Sequence, residues 1–201
     1  MVEIKNIRSK VLGMADSVCE MLQLIEKGFM ANKIEPLTAA LEKEDGINEL
    51  EKTITGEILE MSRAARGDDE KDSLSVSEQL VGAFERMWDE AANLVERIEI
   101  KVHENLLFSE TGVAQFNETY GAMKRSAEMM RDYLKSHDTA VKERVIDNGF
   151  HVKELVERYR KEHSDRLVRG ICTPMAANMY FDMLDFTGNL ARHASNVVKL
   201  V

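Results

Sequence analysis

Glu85 and Asp89 stand four residues apart in a stretch of helical apolar periodicity. At 100° per residue their carboxylates fall side by side, and Glu78 and Glu96 extend the column above and below. On a solvated face the repulsion costs about 0.2–0.5 kcal/mol per adjacent pair, which water tolerates. The ridge also flanks Phe84 and Trp88 of the apolar stripe, so a helix packed over it would force the acids to be neutralised or to bind a cation. The preceding helical segment offers facing oxygens. Its inward pattern Leu41, Ile47, Ile54, Ile58 and Met61 is interrupted by Glu44 and Asn48, with Asp45 and Glu51 at the border. Glu85, Asp89, Glu44 and Asn48 are therefore the candidate metal ligands, an oxygen-rich set without histidine that suits hard cations or iron better than copper. No EF-hand loop and no Glu-x-x-His pair is encoded, so neither a calcium loop nor a ferritin-like di-iron centre is predicted.

Other residue types carry less. An internal repeat, Ala91-Ala92-Asn93-Leu94-Val95 against Ala194-Ser195-Asn196-Val197-Val198, sets an offset of 103 residues that places Gly188 where Glu85 stands and Arg192 where Asp89 stands. The second half thus lacks the carboxylate pair. Arg192 has two roles open to it: pairing with Asp182 or Asp185, or holding an anion in a cleft. His163 on an apolar stripe reads as a hydrogen-bonded packing residue, and His151 and His193 belong to no motif. Cys19 reads as a small buried hydrophobe; Cys172 precedes a helix N-terminus, where a thiolate is stabilised, but no motif ties a His or Asp to it. Ser73, Ser75 and Ser77 read as cap and loop residues, and there is no glycine-rich phosphate cradle. No catalytic residue is predicted and the chain does not read as an enzyme.

The elements that position these groups are helices. Ile4, Val11, Val18 and Ile25 are spaced by seven with Ile7, Met14 and Met21 between them, a helix of about thirty residues ending near Asn32. A second helix is predicted from Pro36 to about Ala65, then a surface loop from Gly67 through the polar run Asp68–Asp72. Ser75 with Glu78 resembles a capping box that opens a third helix running to about Leu106. Ser109–Gly112 interrupts the pattern. A fourth helix carries Phe116, Tyr120, Met123, Ala127, Met130 and Leu134, and a fifth Val141, Val145, Val152, Leu155 and Tyr159. The last starts at Thr173-Pro174 with Met179, Met183, Phe186, Leu190, Ala194 and Val197 inward. The expected fold is all-α: two tandem antiparallel three-helix bundles, residues 1–107 and 108–201.

Composition agrees. With 2 prolines, 11 glycines and 6% aromatics in 201 residues, the chain lacks the turn formers of most all-β designs. Lys+Arg 27 against Asp+Glu 36 gives −9, so affinity resting on neutralised phosphate backbones is unexpected and nucleic acid is excluded as a direct partner. Two distant cysteines encode no disulfide framework or zinc knuckle and fit a reducing cytoplasm. No apolar run reaches the roughly 18 residues needed to span a bilayer, and Met1–Lys10 has no signal-peptide core.

Glu44-Asp45-Gly46-Ile47-Asn48-Glu49-Leu50-Glu51, followed by Glu85-Arg86-Met87-Trp88-Asp89 with Ala91, Ala92 and Asn93, resembles the PhoU family of phosphate uptake regulators. Arg166-Leu167, Gly170, Cys172 and Pro174, with the ending His193-Ala194-Ser195-Asn196-Val197, are similar to the PhoU-like domain of sodium/phosphate cotransporters. The resemblance implies two three-helix bundles, a cytoplasmic location, and iron or other divalent metal held by an acidic motif on the third helix of each repeat. Glu85 and Asp89 match the first and last positions of that motif; Gly188 and Arg192 do not. It also implies a regulator of phosphate homeostasis that contacts a phosphate transporter or its sensor histidine kinase, reaching the membrane through that partner, with a homodimer allowed. Two alternatives are the cytosolic regulatory domain of a sodium/phosphate cotransporter and a carboxylate-bridged metal-binding bundle.

Overall fold

The computed structural model describes every residue except Met1 and Arg66, and the side chains of these except residues 2–5 and Ala64. Its elements are α1 (Val2–Ala31), α2 (Glu35–Leu41), α3 (Glu44–Ala64), α4 (Asp68–His103), α5 (Glu110–Ser136), α6 (Thr139–Val168) and α7 (Pro174–Leu200). No strand occurs among the described residues. The predicted stripe of α1 is in the core from Ile7 to Ile25, with Met14, Val18 and Met21 fully buried; Ile4 lies outside the described side chains. α1 stops at Asn32, which takes the left-handed conformation (φ 52°) that asparagine tolerates as a helix end. Ser109 and Thr173 cap α5 and α7 by accepting from the Gly112 and Ala176 amides at 3.1 and 3.3 Å. Gly170 (φ 68°) closes α6, and the Ile171 amide returns to the Arg166 carbonyl at 3.0 Å.

Two expectations are corrected. The second helix is broken in two: Glu42 and Lys43 stay right-handed, but the Lys43 amide reaches the Ala40 carbonyl at 3.3 Å and tightens the coil between α2 and α3. Both residues are helix formers, so composition carries no sign of this turn. The fourth element starts seven residues earlier than the supposed cap at Ser75, at Asp68, and ends at His103 rather than near Leu106. Asp68, Asp69 and Glu70 occupy its first turn, where negative charge complements the helix dipole, and nothing between them and Ser75 breaks a helix. Ser75 lies inside α4, accepting from Gln79 Nε2 at 3.3 Å.

Four helices form a ring. α1 packs on α4 and α5, and α7 packs on the same two, so α4 and α5 lie diagonally although only a short loop joins them. α2 and α3 cover α1 and α4 from outside, as α6 covers α5 and α7. Counting α2 and α3 as one broken helix gives three helices on each side, and the 107/108 boundary falls in the α4–α5 loop. One continuous core crosses it. Phe29 of α1 meets Phe116 of α5 at 4.6 Å between ring centroids, and Lys124 pairs with Glu26 at 2.5 Å. Tyr120, buried on α5, donates to the Leu22 carbonyl of α1 at 2.7 Å.

That hydrogen bond joins the two sides inside the core, so Tyr120→Phe should lower the unfolding free energy by about 1 kcal/mol. Phe84→Ala, which empties a fully buried ring site, should cost about 3–5 kcal/mol in the same denaturation series.

Candidate functional site

α4 and α7 pack antiparallel along a seam. Arg97 Nε donates to Asp182 Oδ2 at 3.0 Å. Farther along, Glu90 is held by Asn189 within the field of Arg192, and partial burial raises its pKa above the usual carboxylate value. Beyond it, Gln79, Gly82 and Arg86 of α4 face Asn196 and Lys199 of α7. Phe84 and Trp88 turn into the core, which leaves Glu85 and Asp89 exposed beside the seam, as the stripe requires.

Counting back from the α3–α4 turn puts Glu44 level with Trp88 and Asn48 level with Phe84. Glu44 is exposed in the first turn of α3 and Asn48 is half-buried. Glu44 and Asn48 thus lie on α3 and Glu85 and Asp89 on α4, two helices that pack together. Among the described residues, Glu85, Asp89 and Glu44 form no ion pair within 4.0 Å, so their charge is left to solvent or to a bound cation. Among the described residues no group of three or more His, Cys, Asp or Glu is gathered to hold a metal ion. A cation held here would draw its other ligands from water.

The side that carries Gly188 and Arg192 is different. α6 and α7 leave between them an open trough of about 610 Å³. Gly149 and Gly188 let the two helices approach: a Cβ on Gly149 would stand 2.3 Å from Ser195 Oγ, and one on Gly188 3.3 Å from Val156. Arg192 takes neither aspartate proposed for it. Asp182 is bound by Arg97 and Asp185 by Arg160 at 2.5 Å, while Arg192 reaches the Asn189 amide oxygen at 3.3 Å. The signal for this trough lay in two seven-residue series, Ile146, Lys153, Arg160 and Asp185, Arg192, Lys199, each marking one face of a helix.

A third cluster was invisible to spacing. Folding brings Cys172 Sγ within 3.8 Å of His163 Nε2, while Arg166 donates to His163 Nδ1 at 3.0 Å and to Gln115 Oε1 at 2.8 Å. A guanidinium only donates, so Nδ1 must accept and the ring proton sits on Nε2, facing the sulfur. The imidazole therefore cannot take the thiol proton, and the pair is no nucleophile and base. His163 stacks on Tyr180 at 4.2 Å and is buried, in accord with a packing role. Cys19 is buried and its thiol pKa is raised to about 11 by desolvation, consistent with an inert core residue.

Residues 11–98, from α1 to the last turns of α4, match the family model of the PhoU domain. The whole chain superposes on PhoU from Pseudomonas aeruginosa at TM-score 0.90 and 17% identity, covering 99% of this chain and 95% of that one. Residues 11–98 are thus similar to the PhoU domain, and nearly the whole chain has the fold of PhoU. The phosphate transport system regulatory protein PhoU from Streptococcus pneumoniae shares the fold at TM-score 0.83 and 14% identity, covering 99% of this chain and 93% of that one. No curated protein matches the chain. The matched stretch contains Glu85 and Asp89 and ends before the α6/α7 trough.

Two buried histidines give the protein a pH dependence. Desolvation first, then the nearby guanidiniums of Arg166 for His163 and of Arg192 and Arg86 for His193, lower each pKa to about 4. The folded state disfavours the proton, so the stabilisation is complete above the unfolded pKa of about 6.5 and is lost as pH falls towards 4. From pH 8 to pH 5 each should cost about 2 kcal/mol. Urea unfolding at the two pH values should show a drop that is shallower in His163→Gln and His193→Gln variants.

Proposed function

We propose that this chain regulates phosphate transport by contact with a phosphate transporter or its associated sensor kinase on the cytoplasmic side. The observation that carries the reading is the PhoU-domain match over residues 11–98, joined to a fold shared with PhoU over nearly the whole chain. The similar Streptococcus pneumoniae protein is a phosphate transport system regulatory protein, and the reading needs no catalytic residue. Among the described residues no helix is long and apolar enough to cross a membrane. In this reading the chain reaches the transporter through protein contact, by surfaces of α4, α6 and α7. Deleting the gene in its native host should release phosphate uptake from repression at high external phosphate, measured with radiolabelled phosphate, and the full chain supplied in trans should restore control. Uptake that is identical with and without the gene would refute the regulatory reading.

The acid ridge has a separate role in this proposal. Glu85 and Asp89, with Glu44 and Asn48 at the same level, are where a divalent cation, iron or another, binds. The supporting observation is that, among the described residues, these carboxylates form no ion pair within 4.0 Å. Two charges on one ridge attract a hard cation that keeps several waters. Plasma mass spectrometry of protein purified without a chelating tag and incubated with iron should find bound metal that Glu85→Ala/Asp89→Ala abolishes. Metal content unchanged by that double substitution would remove the site.

A further inference from the structure

The α6/α7 trough is long and narrow. Its walls run from Ile146 to Arg160 on α6 and from Asp185 to Lys199 on α7, fifteen residues on each helix or about 21 Å. Phe150 stands in it with 61% of its surface in water, and Ile146 one turn away extends the apolar wall. A ring this exposed on a helix is a cost in the free chain, and a pocket beside it is where an apolar anchor gains most.

The rim is cationic. Arg160 is paired with Asp185 at 2.5 Å, and Lys153 with Glu157 at 3.6 Å. Among the described residues, no carboxylate lies within 4.0 Å of Arg192 or Lys199, so the trough keeps two positive charges with no direct ion pair on a chain whose net charge is −9. Glu90, half-buried across the seam, is the acid that feels Arg192. A local excess opposite in sign to the whole protein selects an acidic visitor and repels a basic one. The shape selects further: two antiparallel helices present a groove between rows of side chains, into which the apolar ridge of a third helix fits.

We propose that the α6/α7 trough is the docking groove for an amphipathic helix of a partner protein, one whose apolar row is flanked by carboxylates. The proposal rests on the reading of this chain as a regulator acting by protein contact and names the surface and the chemistry of that contact. The apolar row of the visitor lies against Phe150 and Ile146, and its acids pair with Arg192 and Lys199.

The test uses the full chain and a displayed library of helical peptides of about 18 residues, varied in both apolar and charged positions. Selected sequences should carry apolar residues at helical spacing with Glu or Asp beside them. Labelled copies should bind with at least tenfold weaker affinity to Arg192→Glu/Lys199→Glu and to Phe150→Ser, each checked for unchanged helicity. Lys52→Glu/Arg63→Glu, which makes the same change in net charge on exposed positions of α3, should bind like wild type. The proposal falls if no helical peptide is selected, if the trough variants bind as well as wild type, or if the α3 variant loses as much. It also falls if wild type dimerises through these residues, which would make a second copy the occupant. A trough that binds nothing in a chain that still controls phosphate uptake would remove the groove and leave the regulatory reading standing. Peptide binding in a chain whose deletion leaves uptake unchanged would remove the regulatory reading instead.

Discussion

α4 and α7 pack antiparallel along a seam in which Arg97 meets Asp182 and Gln79, Gly82 and Arg86 face Asn196 and Lys199, while Ala91, Leu94 and Val95 of α4 and Ala194, Val197 and Val198 of α7 are excluded from water. Apolar burial of this kind contributes on the order of 25 cal/mol per Å². Because α4 belongs to the first three helices and α7 to the last three, closing this seam joins the two units. It also determines what is left outside. With Phe84 and Trp88 drawn into the core, the acids one position further round, Glu85 and Asp89, can only face solvent. With α7 held against α4 on one side and α6 on the other, Gly188 and Arg192 are left in the trough.

The surface beside the seam is consequently divided by charge. On α4 it presents Glu85 and Asp89, which form no ion pair within 4.0 Å among the described residues; on α6 and α7 it presents Arg192 and Lys199, which have no carboxylate within that distance among the described residues. Where the first repeat places an acid pair, the second places a glycine and an arginine. A glycine allows close helix approach and an arginine brings a charge that is never lost, so the two related positions serve opposite electrostatic ends. This division places acidic and basic surfaces on different elements of one molecule. Neither requires a reacting group, in keeping with a cysteine and histidine pair whose proton is placed so that no base is formed.

Much of the helical pattern was legible because a near-absence of proline and glycine leaves helix as the cheapest way to satisfy the backbone, and apolar residues at spacings of three, four and seven state which face is inward. The stripes of α1, α5 and α7 were read in this way, as were the caps at Thr173 and the end at Asn32. The break at Glu42 and Lys43 was not, since both residues favour a helix and the turn reflects tertiary packing. The start of α4 was misplaced because acids were read as a solvated loop, although the same acids stabilise a helix N-terminus. The adjacency of Glu85 and Asp89 was legible for a similar reason: they are neighbours on one helix, where sequence spacing is spatial spacing.

The sequence by itself determined an all-helical chain, its inward faces, its acidic balance, and the pairing of Glu85 with Asp89. These follow from local rules, in which each residue's position on a helix depends only on its near neighbours. Only the tertiary structure decided that Arg97 and Arg160 take Asp182 and Asp185 and so leave Arg192 open, that His163 meets Cys172 with its proton already placed, and that α4 and α5 stand diagonally across a four-helix ring. Those outcomes depend on how whole helical faces are shared among several competing partners, and that competition is settled by packing rather than by spacing along the chain.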